Sequence, residues 1–185
     1  MTVQETVGIP GFDPFSRRLD RDVRNTLGAA LISAVLQSAP DAIDACALQW
    51  QRTSLPKTCR AYLSSRLADY RAVMADIHPT SDIDEECIAR ILWNRGLFFE
   101  CHEWLEIFWH RAHPPRKTAL QGWIMAAGAF SQLQSGRLPA ARALARKAAV
   151  RLSTDGHCLA AIENLDDLTH GLVADPPVAT VIRLK

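Results

Sequence analysis

Gly96-Leu97-Phe98-Phe99-Glu100-Cys101-His102-Glu103-Trp104-Leu105-Glu106-Ile107-Phe108-Trp109-His110-Arg111-Ala112 is the stretch that decides how this chain is read. Set out at about 100° per residue, Leu97, Cys101, Trp104, Leu105, Ile107 and Phe108 cover one broad side of a helix. Phe98, Trp109 and Ala112 widen that side, and Glu100 falls within it. A helix apolar around so much of its circumference belongs in a core. The remaining arc carries His102, Glu103, Glu106, His110 and His113, with Phe99 among them. The stretch therefore predicts a buried helix over about Leu97 to Ala112 that turns ionisable groups to one side.

Outward from it, the same helical period continues in both directions and no run of strict alternation interrupts it, so the fold class is all-α. Asn94-Arg95-Gly96 breaks the chain on one side and Pro114-Pro115 on the other. Beyond the prolines a helix is expected to about Gln134, with small residues from Gly122 to Gly128 that let a neighbouring backbone approach closely. Gly136 and Pro139 separate it from a helix to about Leu152, and Asn164 with Asp167 caps a last short one. The tail after Pro176-Pro177 is β-branched and apolar and is expected to pack as extended chain. On the N-terminal side, Ser81 with Asp84 reads as a capping box for a helix carrying Ile88, Ile91 and Leu92. His78-Pro79 ends the preceding helix, which carries Tyr62, Leu67, Tyr70 and Met74. A shorter helix bears Ile43, Ala47 and Trp50, and the first enters at Asp13-Pro14 with the stripe Leu19, Val23, Leu27, Leu31 and Val35. A bundle or array of about seven or eight helices results. Residues 1–80 form a helical extension packed on a core of residues 81–185, the two making one unit.

At 185 residues the chain is long enough to bury a core without staples. A net charge of +1 exerts no global pull on nucleic acid or anionic lipid. Eight basic and no acidic residues lie between Ile107 and Leu152, whereas Asp82 to Glu106 is acidic. Pairing between the two segments accounts for this, and without aromatic interleaving a nucleic-acid partner is not expected. No stretch approaches the ~20 apolar residues of a membrane helix, and the opening residues have no signal-peptide pattern. The five cysteines are scattered and include no C-x-x-C pair, which points to reduced thiols and a cytoplasmic location. The five tryptophans, at helical spacing, are read as core.

Chemistry concentrates on the polar arc. His102 and Glu106 stand at i, i+4, as do Glu106 and His110, a spacing that brings side chains to one point. Imidazole with carboxylate is a ligand set for zinc, manganese or iron, and bundles build metal sites from inward-facing Glu and His. His102 held by Glu106 would equally serve as a general base. The plainer reading is structural, because acidic residues near the start and His110 near the end also suit the helix dipole. On that reading the protein is a non-enzymatic module binding a protein or small ligand, the His/Glu cluster fixes helix packing, and no cofactor is needed. The alternative is a metal-dependent or acid–base enzyme, hydrolase-like, using His102, Glu103 and Glu106, with a transition metal on His102 and Glu106. The helix pairs around Gly96 and Gly136 resemble tetratricopeptide repeats in organisation, although that family's period does not recur. Partner identity stays open, a homo-oligomer included.

The run from Gly96 to Trp109, with Leu120-Gln121-Gly122, the alanines near Ala127, and Gly136 with Ala141, resembles the signature of domain of unknown function family 309. The likeness covers about Cys87 to Leu152. It implies a small, cytoplasmic, all-helical protein and transfers no activity or cofactor. Through it, Glu100, His102, Glu103, Glu106 and Trp109 become the motif positions and Gln121 their companion.

Overall fold

Two glycines with left-handed backbone, Gly96 at φ +69 and Gly136 at φ +71, set the chain reversals in the C-terminal part of the molecule. The computed structural model describes Val3 and residues 8–77, 84–159 and 162–183. Among these, eight α-helices and a short 3-10 turn make up the regular structure, with no sheet. By their internal contacts the residues divide into two units, 7–81 and 1–6 with 82–185.

The first unit holds α1 (Arg18–Gln37), α2 (Asp41–Gln51) and α3 (Lys57–Asp76). Asp13-Pro14 does not open α1 directly. The Asp13 carboxylate accepts the Phe15 and Ser16 amides at 3.0 and 3.3 Å, so it closes a separate turn and α1 begins four residues after Pro14. Asp20, buried inside the first turn of α1, accepts the Asp13 amide at 2.7 Å and the Cys59 thiol at 3.2 Å. Burial, reinforced by Asp20, pushes that thiol up to about 11. Val23, Leu27, Leu31, Leu63 and Tyr70 fill the core of this unit. The predicted stop at His78-Pro79 lies outside the described residues.

The second unit holds α4 (Glu85–Asn94), α5 (Phe98–Trp109), α6 (Arg116–Gln134), α7 (Leu138–Asp155) and α8 (Leu165–Val173). Asp84 is itself the N-cap of α4, accepting the Glu86 amide at 3.3 Å, whereas the expected box placed it three residues inside the helix; Ser81 lies outside the described residues. At each positive-φ glycine the chain reverses in the same way. Gly96 N–H donates to Trp93 O at 2.8 Å and Leu97 N–H to Leu92 O at 2.9 Å; Gly136 and Arg137 repeat the pattern on Leu133 and Gln132. This six-to-one closure satisfies the last carbonyls of a helix and needs a residue free of a Cβ penalty. Two helix pairs follow, α4 with α5 and α6 with α7. Pro139 sits within the first turn of α7 rather than ahead of it, where its missing N–H costs nothing.

Helix α6 packs against both α5 and α7. Ala119, Ala126, Ala127 and Ala129 are fully buried, and a Cβ at Gly122 would stand 2.9 Å from the Leu152 side chain. The small-residue run thus brings α7 close to the core. Trp93, Leu97, Leu105, Leu120, Trp123 and Phe130 complete that core. The acidic and basic segments meet at Arg116, which pairs with Glu85 and, at 3.1 Å, with buried Glu86. The tail is extended, as expected, and is held by side chains that read its backbone. Trp93 donates its indole N–H to Thr180 O at 2.8 Å. Asn94 exchanges two bonds with Ile182, at 2.9 and 2.8 Å, and Asn164 bonds Val181 O and Arg183 N. Asn164 therefore spends its amide on the tail and makes no cap bond for α8. No helix among the described residues is long and apolar enough to cross a membrane.

Candidate metal centre

The Gly96 reversal sets the rotation of α5. Phe98, Cys101, Trp104 and Leu105 turn into the core, and the Trp104 indole N–H donates to Glu85 O at 2.9 Å. One side of α5 is thereby fixed, and His102, Glu103 and Glu106 are left at its rim. The His102 and Glu106 side chains keep 30% and 43% of their free exposure, so water or a small ligand reaches groups that are still held by packing. One ligand atom from each of the three residues falls within 4.8 Å of the others.

Tautomer chemistry gives the cluster its direction. His102 Nδ1 lies 3.1 Å from the carbonyl oxygen of Ile124 on α6. A carbonyl only accepts, so Nδ1 carries the proton and the neutral ring presents a lone pair at Nε2. That nitrogen stands 3.3 Å from Glu106 Oε1. A lone pair facing a carboxylate is stable only with a cation between or upon them, either a second proton or a metal ion. The separation exceeds the ~2.9–3.0 Å of a well-made N–H···O bond. It matches the roughly 3.4 Å between two ligands of a tetrahedral ion bound at about 2.0–2.1 Å to each. An imidazole whose other nitrogen is anchored on a backbone carbonyl is also the usual state of a metal-binding histidine. Gly128 lies beside the ring, where a Cβ would stand in ordinary contact with His102 Nδ1 at 3.6 Å.

The remaining positions singled out from sequence are distributed differently. Glu100 is fully buried, on the core side of α5, and its charge adds to burial in pushing the Cys101 thiol up. Trp109 lies two turns from His102, with Lys117 Nζ 4.9 Å from its ring centre. Gln121 Oε1 accepts from Arg151 Nε at 3.0 Å, placing its bond toward α7. His110 caps α5 in helical conformation, its amide on Glu106 O, and is exposed, as is His113 beyond the helix; neither joins the cluster of His102, Glu103 and Glu106. Of the three imidazoles, His102 is the one in the cluster.

Residues 88–144, from α4 into the first turns of α7, match the family model described as Domain of unknown function (DUF309). The chain is similar to that family over this segment. It contains all three clustered residues and the Ile124 carbonyl, so the candidate centre lies wholly within the DUF309 segment. No curated protein and no solved structure matches the chain. Two parts of the centre had no sequence signal of their own. Every residue offers a carbonyl, so nothing marked Ile124, and Gly128 read as a packing glycine.

Proposed function

We propose that the chain is a small-ligand-binding helical protein whose first ligand is a divalent transition-metal ion, held by His102, Glu103 and Glu106. The observation that carries this reading is the Nδ1 hydrogen bond to Ile124, which leaves the Nε2 lone pair beside the Glu106 carboxylate. Three protein ligands leave a coordination position for water or substrate, the arrangement of catalytic rather than structural zinc sites. An ion held by His102, Glu103 and Glu106 would supply an acidified water as nucleophile near neutral pH, so metal-assisted hydrolysis is the activity these residues would support. The five free cysteines favour a reducing compartment such as the cytoplasm.

A second reading rests on the same hydrogen bond, which ties α5 to α6 and would make the cluster a structural clasp. Titration of the metal-stripped chain with zinc separates the two. Uptake of one equivalent, weakened at least tenfold by Glu106→Gln, is expected. No uptake, or uptake indifferent to Glu106→Gln, would leave the clasp.

A further inference from the structure

Because α5 and α7 both pack on α6, the groove between them has α6 as its floor and the two helices as its walls. Three contacts fix its register. His102 reaches Ile124 from one side. A Cβ on Gly128 would stand 3.6 Å from His102 Nδ1 and 3.7 Å from Leu144 Cδ1, so side chains of both walls meet over that glycine. Arg151 crosses to Gln121. Gln121, Met125 and Gly128, spaced four and three residues apart, form the partly exposed stripe of the floor. Leu144, Lys147 and Arg151 share one face of α7 by the same helical period.

Charge then distinguishes the walls. Glu103 and Glu106 would balance a divalent ion on α5. Opposite them Lys147 is exposed, and Arg151 uses Nε on Gln121 while its terminal nitrogens have no protein acceptor among the described residues. Asp155 lies one turn beyond Arg151 on α7, yet neither Arg151 nor Lys147 forms an ion pair within 4.0 Å among the described residues. Two cations without an ion pair, one of them a planar guanidinium suited to a forked oxygen pair, thus lie on α7, the helix that packs on α6 together with the cluster's own helix.

We propose that the groove binds a doubly charged oxyanion of the phosphate-monoester type, one oxygen on the α5 ion and the others on Arg151 and Lys147. The proposal rests on the metal reading above. Phenylphosphonate, a dianion with no bond to hydrolyse, is the probe, with acetate as the singly charged comparison. Calorimetry on the zinc-loaded full chain is expected to show one phenylphosphonate bound at least tenfold tighter than acetate. Arg151→Gln should weaken it tenfold or more and leave zinc affinity unchanged. Lys147→Gln, which breaks no hydrogen bond within the fold, should weaken it several-fold. Equal binding of the two anions, or full affinity in both variants, would overturn the oxyanion assignment while leaving the metal centre standing. Failure of the chain to take up zinc at all would overturn both. Binding of a short oligonucleotide in preference to phenylphosphonate would reassign the cations to a nucleic-acid backbone and would also overturn the proposal.

Discussion

Trp93→Ala is expected to cost about 3–5 kcal/mol of folding stability, the range for removing a fully buried tryptophan. The indole is inaccessible to solvent and stands edge-on to Phe98 and Phe130, with centroids 5.1 and 5.3 Å away. It also carries a hydrogen bond to Thr180 O, so its loss releases one of the points that hold the tail. Two effects are thereby combined, a cavity among aromatic rings and a carbonyl left without its donor. The cavity dominates, since one neutral hydrogen bond contributes only about 1 kcal/mol. Against the ~5–15 kcal/mol of a typical domain, the variant should unfold at markedly lower urea. Trp93→Phe, which keeps most of the apolar volume, should lose less than half as much. Urea unfolding followed by circular dichroism checks both, and a loss under about 1 kcal/mol for Trp93→Ala would mean that the ring is not in the core.

For His102→Ala the expected loss is in ligand affinity, by more than about 100-fold for zinc, because one of three protein ligands disappears; even outer-shell partners of metal ligands are worth roughly 10–100-fold. Folding of the metal-free chain should change by only ~1 kcal/mol, the worth of the bond to Ile124. Linkage makes the contrast visible. At zinc a hundred times its dissociation constant the wild-type chain gains about 2.7 kcal/mol, and His102→Ala should gain almost none. Thermal melts with and without zinc report the difference. Equal stabilisation of the two chains would place the ion elsewhere.

How far the sequence carried the account follows from what each feature depends on. Hydrophobic period located the eight helices, since burial is written directly into the spacing of apolar residues. Helix ends were less legible. Asp13, Asp84 and Asn164 all read as capping residues, yet Asp13 closes a separate turn, Asp84 caps one turn later than expected, and Asn164 holds the tail. An amide or carboxylate advertises hydrogen-bonding capacity without naming its partner, and tertiary contact chose. Within the site, the i, i+4 pairing of His102 with Glu106 was legible because both lie on one helix. The Ile124 carbonyl was not, because it arrives from another helix and carries no side-chain signature. His110 keeps the helical direction at the C-cap but is exposed, and His113 lies past the helix end, so the spacing alone could not tell that His102 would be the imidazole in the cluster.

The most direct measurement is an anomalous difference map at the zinc absorption edge, from crystals of the zinc-soaked chain. A single strong peak is expected roughly 2.0–2.2 Å from His102 Nε2 and from carboxylate oxygens of Glu103 and Glu106, with Nδ1 still on the Ile124 carbonyl. A map with no peak there, and with the imidazole resting directly against Glu106, would contradict the metal centre and leave the three residues as a clasp between helices.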